Sequence, residues 1–116
     1  MIRYSRQLIS QSDIKKVNQV LKSDFLTQGP KSILFEKKLS LKFDAKFSTS
    51  CNSATSALHL ACLALGVKKG DYVWTCTNSF VASASCALHC GAKIDLIDIN
   101  SESYNLDINS LSKKLK

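Results

Sequence analysis

The chain has 116 residues, 45% of them hydrophobic and 22% charged, with one proline and four glycines, which is typical of one globular domain or part of one and excludes a low-complexity polypeptide. The net charge of +7 would suit an anionic partner, but the basic residues follow helical patterns without interleaved aromatic rings, so nucleic acid is not the partner that we expect. No apolar run is as long as a membrane span, and the first ten residues lack the apolar core of a signal peptide, so we expect a cytoplasmic protein with no membrane partner.

Two amphipathic helices are predicted in the first part of the chain. Apolar side chains recur at helical spacing over residues 12–22. The loop SDFLTQGP follows, and its Gly-Pro pair interrupts the periodicity before a second helix over residues 32–43. We assign residues 1–45 to a region of N-terminal helices and a loop.

Strand and helix patterns alternate from residue 46 to the end of the sequence. This alternation is typical of a parallel sheet covered by helices, so we predict an α/β fold with three αβα layers. Residues 46–116 would form a βαβαβα portion of such a domain. The predicted strands cover residues 46–50, 72–75 and 93–99, and the predicted helices cover residues 53–65, 79–89 and 107–114.

The cysteines are odd in number and lie in or beside apolar segments. We therefore expect reduced, mostly buried thiols that act as small hydrophobic residues, rather than disulfides. No CxxC pair occurs, and we expect no metal site. The five residues are Cys51, Cys62, Cys76, Cys86 and Cys90.

Small polar residues precede the helix predicted over residues 53–65. Asn52, Ser53 or Thr55 could each cap this helix by accepting a hydrogen bond from a free N–H group. The same N–H groups and hydroxyls could instead bind a phosphate group, since a helix N-terminus favours anions. Phe80 follows the strand predicted over residues 72–75, at the edge of a parallel sheet where ligands commonly bind. Its position alone is more typical of a core residue of an amphipathic helix.

A series of motifs in this sequence resembles one known family. The motifs YSRQ, SDFLTQGP, FEKKL, NSATSALHLACLALGVKKGDYVWT, SFVASASCALHCGAKIDLIDI and YNLD are similar to the N-terminal part of the DegT/DnrJ/StrS nucleotide-sugar aminotransferases. The resemblance covers nearly the whole chain. Within the family, SDFLTQGP and NSATSALHLA look most like the enzymes of pseudaminic acid biosynthesis that aminate a UDP-linked 4-keto-6-deoxy amino sugar.

The resemblance implies a fold type I large domain, the cofactor pyridoxal 5′-phosphate, and the site residues. Thr55 and Ser56 match the pair that holds the cofactor phosphate, and Phe80 matches the aromatic residue that stacks on the pyridine ring. A second set matches positions that line the nucleotide-sugar side of the site. It consists of Tyr4, Asp24, Phe25, Leu26, Thr27, Gln28 and Ala54.

The resemblance also implies partners and one departure from the family. UDP-sugar, glutamate and a second copy of the chain would be the partners of the complete enzyme. The lysine that holds the cofactor covalently, and the acidic residue that pairs with the pyridine nitrogen, would lie beyond residue 116. We therefore expect an N-terminal fragment that is inactive alone. A small non-catalytic domain that binds phosphate or a nucleotide, and a basic nucleic-acid-binding module, are the alternatives.

Overall fold

The computed structural model describes residues 4–115, which divide into two compact units on either side of the bond between Ser50 and Cys51. No helix among residues 4–115 combines the length and the apolar character that crossing a membrane requires. The first unit contains helices α1 (Gln11–Leu21) and α2 (Pro30–Lys42). The second contains α3 (Ala54–Ala64), β1 (Tyr72–Cys76), α4 (Ala82–His89), β2 (Lys93–Ile97) and α5 (Ile108–Lys114).

Local hydrogen bonds set the helix boundaries of the first unit. Ser10 caps α1, because its side chain accepts a bond from the Asp13 N–H while the Asp13 carboxylate accepts one from the Ser10 N–H at 2.9 Å. Helix α2 begins at Pro30, two residues earlier than predicted. A proline suits the first helical position, since its φ is preset and no N–H is lost there.

The strand predicted over residues 46–50 is wrong, because this segment has no regular secondary structure. A strand needs a hydrogen-bonded neighbour, and within residues 4–115 regular strand pairing joins only β1 and β2. Hydrogen bonds to a side chain of α2 fix the end of this segment instead. The N–H and the hydroxyl of Ser50 both donate to Oε1 of Glu36 at 2.7 Å.

The second unit is built on two parallel strands and the helix that connects them. Strand β1 pairs with β2 in a register that runs from Tyr72 opposite Lys93 to Cys76 opposite Ile97. Helix α4 packs against both strands, and α3 packs against α4. Gly91 adopts a φ of +76° and ends α4, which lets the chain turn directly into β2. The predicted α/β class is confirmed.

The core of the second unit is small. Its buried residues are Ala82, Cys86, Ala87, Ala92 and Ile97. The prediction that most cysteines are buried is wrong: Cys86 is buried, Cys51 is exposed, and the other three are half-buried. All five are free thiols. Two strands and one covering helix remove too little surface from solvent to bury every apolar segment.

Helix α4 lacks three predicted residues at its start, and strand β2 lacks two at its end. Helix α4 begins at Ala82 rather than at residue 79, because Phe80 and Val81 belong to the turn that precedes it. Strand β2 ends at Ile97, and beyond it an isolated antiparallel bridge joins Ile99 to Leu106. Asp107 then caps α5 by accepting bonds from the N–H groups of its first turn.

Candidate functional site

The first turn of α3 contains three of the predicted site residues. Ser53 is the N-cap: its backbone is extended, and its Oγ accepts a hydrogen bond from the Ser56 N–H at 3.2 Å. The Ser53 carbonyl accepts the first helical bond, from Ala57. Of the three capping residues considered from the sequence, Ser53 therefore performs that role.

Free donors remain in this turn after capping. Within residues 4–115, neither the N–H groups of Ala54 and Thr55 nor the hydroxyl of Thr55 donates to a protein acceptor. Thr55 is exposed to solvent. The turn thus offers two unused N–H groups and an exposed hydroxyl at the positive end of an 11-residue helix. This donor set fits the phosphate group of a cofactor.

Ser56 is positioned differently from Thr55. Its hydroxyl donates to Oδ1 of Asn52 at 2.8 Å and lies 3.0 Å from Oγ of Ser53. Because a hydroxyl has a single proton, Ser56 can donate to an anion only after it releases Asn52. Asn52 thus controls the donor state of Ser56, a role that the sequence analysis missed. The four-residue spacing of Asn52 and Ser56 is the signal that could have revealed it.

Phe80 lies in the turn between β1 and α4, and 75% of its surface is exposed. The turn is held locally, because the Phe80 carbonyl accepts a bond from the Ser83 N–H at 2.9 Å, and the hydroxyls of Ser79 and Ser83 lie 2.6 Å apart. The described residues of the second unit thus leave most of the surface of Phe80 open to solvent. An exposed phenyl ring on a fixed turn is available for stacking on a planar ligand.

The predicted sugar-side residues fall into two groups. Ala54 is the first residue of α3, next to Thr55. Tyr4 and the loop from Asp24 to Gln28 are exposed parts of the first unit. The structure thus brings Ala54, Thr55 and Ser56 together on one turn, whereas the other predicted sugar-side residues belong to a different unit.

The loop between α1 and α2 has one unusual backbone conformation. Gln28 adopts a φ of +50°, which is uncommon for a residue with a side chain. Its neighbour Gly29 has no room for a side chain, because a Cβ there would lie 2.9 Å from Cβ of Phe25. The loop conformation therefore depends on a glycine at residue 29, immediately before Pro30.

The described residues 4–115 contain no group of three or more His, Cys, Asp or Glu side chains arranged to hold a metal ion. The chemistry of the first turn of α3 is that of neutral hydrogen-bond donors, which bind anions rather than cations.

The motif series and the fold agree with a comparison against known families. The family model of the DegT/DnrJ/EryC1/StrS aminotransferases matches residues 7–116. The chain belongs to this family.

Similar proteins include an enzyme of Campylobacter jejuni that is named UDP-4-amino-4,6-dideoxy-N-acetyl-beta-L-altrosamine transaminase. It is 44% identical over 115 residues, which are 99% of this chain and 30% of that protein. The spore coat polysaccharide biosynthesis protein SpsC of Bacillus subtilis is 38% identical over 104 residues, which are 90% of this chain and 27% of that protein. The chain thus spans less than a third of the length of these relatives.

A solved structure from Streptococcus pneumoniae, titled as a sugar aminotransferase in its PLP form, has a TM-score of 0.89 to this chain. The two are 33% identical, and the match covers 97% of this chain and 29% of that one. The prediction that the chain has the fold of the N-terminal part of a fold type I large domain is confirmed.

Proposed function

We propose that this chain is the N-terminal part of a PLP-dependent aminotransferase that moves an amino group from glutamate to a UDP-linked 4-keto-6-deoxy amino sugar of pseudaminic acid biosynthesis. Membership of the aminotransferase family supports the reaction class. The 44% identity to the Campylobacter jejuni transaminase supports the sugar. The proposed partners are UDP-sugar, glutamate and a second copy of the chain, in the cytoplasm.

The donor set in the first turn of α3 is the observation that carries this proposal. The N–H groups of Ala54 and Thr55 and the Thr55 hydroxyl would hold the phosphate of pyridoxal 5′-phosphate, with the helix dipole favouring its negative charge. Ser56 would join them after its hydroxyl turns from Asn52, where it now donates at 2.8 Å. When bound, the cofactor supplies an electron sink for the carbon whose proton is moved.

Phe80 would orient the cofactor rather than react. The residue is 75% exposed and lies in the turn between β1 and α4, so its ring could cover one face of the pyridine ring and fix the plane of that ring. Such stacking sets the geometry in which a proton is transferred, and it excludes water from the covered face. The loop from Asp24 to Gln28, with Tyr4 and Ala54, would contact the nucleotide sugar.

Activity also needs an amine that bonds the cofactor and moves the proton. None of the lysines in the 116 residues lies in the sequence context that the family uses for this role. We therefore expect the 116-residue polypeptide alone to show no turnover with glutamate and a UDP-4-keto sugar. Measurable turnover by the purified polypeptide would contradict this part of the proposal.

The phosphate site can be tested without turnover. The chain labelled with ¹⁵N is titrated with inorganic phosphate and separately with pyridoxal 5′-phosphate, and amide NMR signals are followed. We expect shifts at residues 52–57, and we expect Thr55→Val to weaken phosphate binding several-fold. Thr49→Val is the matched control, because Thr49 is an exposed threonine of the first unit. Unmoved signals in a folded spectrum would contradict the proposed phosphate site.

A further inference from the structure

The contact between α3 and α4 brings together side chains that the proposed cofactor site does not use. The rings of His59 and His89 lie 5.4 Å apart, centre to centre, with a tilt of 47°. Residues three or four apart share one face of a helix. Cys62 therefore lies on the α3 face that carries His59, and Cys86 lies on the α4 face that carries His89. The histidine contact thus turns both cysteines toward the same helix interface.

The thiols of this interface are close enough to influence one another. Burial raises the pKa of the Cys62 thiol, and interactions with the thiols of Cys86 and Cys90 raise that pKa further, with Cys86 the stronger neighbour. Cys86 is 4% exposed, and its S–H donates to the Ser83 carbonyl at 3.4 Å. Cys62 is half-buried and thus open to a small reagent. The pair combines an accessible thiol with a buried neighbour.

We propose that Cys62 and Cys86 form a dithiol modification site, which a low-molecular-weight disulfide oxidises to a cross-link between α3 and α4. This inference goes beyond the proposed aminotransferase function and does not depend on cofactor binding. Helix α3 packs against α4, and Cys62 on α3 is half-buried whereas Cys86 on α4 is buried.

The reaction would proceed in two exchange steps. The Cys62 thiolate attacks one sulfur of the small disulfide, forms a mixed disulfide and expels one small thiolate. The Cys86 thiolate then attacks the Cys62 sulfur, forms the protein disulfide and expels the second small thiolate. Two protein thiols are oxidised, one small disulfide is reduced to two thiols, and the two protons released by the cysteines end on those thiols.

The cross-link would connect two elements that border the candidate cofactor site. Helix α3 begins with the turn that contains Thr55 and Ser56, and α4 begins two residues after Phe80. Oxidation would therefore restrict relative motion of these two helices. The raised pKa of Cys62 means that the reaction should accelerate as pH increases through the alkaline range, since the thiolate is the attacking species.

The test uses the purified chain and oxidised glutathione as the probe. After incubation, remaining thiols are blocked by alkylation, and the unreduced chain is digested with chymotrypsin. Cleavage after Phe80 and after Leu88 separates Cys86 from Cys76 and from Cys90. We expect a peptide pair that joins Cys62 to Cys86, with the mass of two hydrogens lost, and we expect dithiothreitol to release it.

Matched variants locate the cross-link. Cys62→Ser and Cys86→Ser should each abolish it, whereas Cys51→Ser, which alters an exposed thiol outside the interface, should leave its yield unchanged. If a variant does not fold, the peptide map of the unaltered chain decides alone. A glutathione adduct that stays on Cys62, a cross-link that uses Cys90 or Cys76 instead, or five unmodified thiols in the folded chain would each overturn the proposal.

Discussion

The two units of this chain are stabilised in different ways. In the first unit, neither helix has a buried residue, and the ends of the helices are set by local hydrogen bonds such as those of the capping box of Ser10 and Asp13. In the second unit, β1, α4 and β2 enclose a small core that includes Ala87 and Ile97. The comparison teaches that helix caps can set the ends of a helix where no core is present. A core, in contrast, requires packing between segments that are distant in sequence.

The largest effect is expected from removing the main core side chain. Ile97 is 1% exposed and is the largest fully buried side chain of the described residues. Ile97→Ala should lower the free energy of unfolding of the second unit by about 2–5 kcal/mol, from lost burial and the cavity left behind. Urea unfolding followed by the fluorescence of Trp74, the chain's one tryptophan, measures the change.

The matched control is the same substitution in the first unit. Ile33 lies on α2 and is 66% exposed, so Ile33→Ala should change stability by about 0.5 kcal/mol or less. Circular dichroism at the helical band measures both variants. Equal losses from the two substitutions would refute the view that only the second unit has a core.

A smaller effect is expected from removing helix caps. Ser10→Ala and Ser53→Ala each delete a capping oxygen, at a typical cost of about 1 kcal/mol. The first should fray α1, which has no buried residue. The second should leave α3 folded, because α3 also packs against α4. Amide hydrogen exchange in the two helices measures the difference, and equal exchange rates in both variants would contradict it.

Helices and strands of the second unit were largely predictable from the sequence, because their signals are local. Ser53 before an apolar helix and Gly91 after another marked boundaries that the structure retains. The strand over residues 46–50 was not predictable in the same way. Strand formation depends on a neighbour, which no property of those five residues supplies.

The candidate site was predictable only in part. The free donors of Thr55 follow from its place in the first turn of α3, and the exposure of Phe80 follows from its place in the turn after β1. The bond from Ser56 to Asn52 and the contact of His59 with His89 were missed. These depend on side-chain rotamers and on which helix faces meet, and tertiary packing sets both. The prediction that most cysteines are buried was wrong for the same reason.

A pH-dependent effect is expected at the capping box of α1. Hydrogen bonds from Ser10, first from its hydroxyl and then from its N–H, lower the pKa of Asp13. Because the pKa of Asp13 is lower in the folded state, its carboxylate stabilises α1 at pH values above the pKa that it has in the unfolded chain. This stabilisation is lost as the pH falls through the pKa of the folded state. NMR of residues 10–14 should show helix loss below about pH 4, and Asp13→Asn should remove that dependence. Persistence of the transition in Asp13→Asn would assign it to another group.

The smallest effect is expected from the ion pair of the second unit. Nζ of Lys114 on α5 lies 2.7 Å from Oδ2 of Asp95 and donates to the Leu96 carbonyl at 3.0 Å. The two side chains are 40% and 41% exposed, so water and salt screen the pair, and such pairs add little stability. Lys114→Met should therefore leave the urea midpoint nearly unchanged.

The same substitution should nevertheless change a local property. The hydrogen bond from Lys114 is the main cause that lowers the pKa of Asp95, so Lys114→Met should raise that pKa toward its ordinary value, as NMR titration of the Asp95 carboxyl would measure. High salt should reproduce part of this rise in the unaltered chain. A loss of stability as large as that of Ile97→Ala would mean that docking of α5 contributes as much to this unit as the core between β1, α4 and β2.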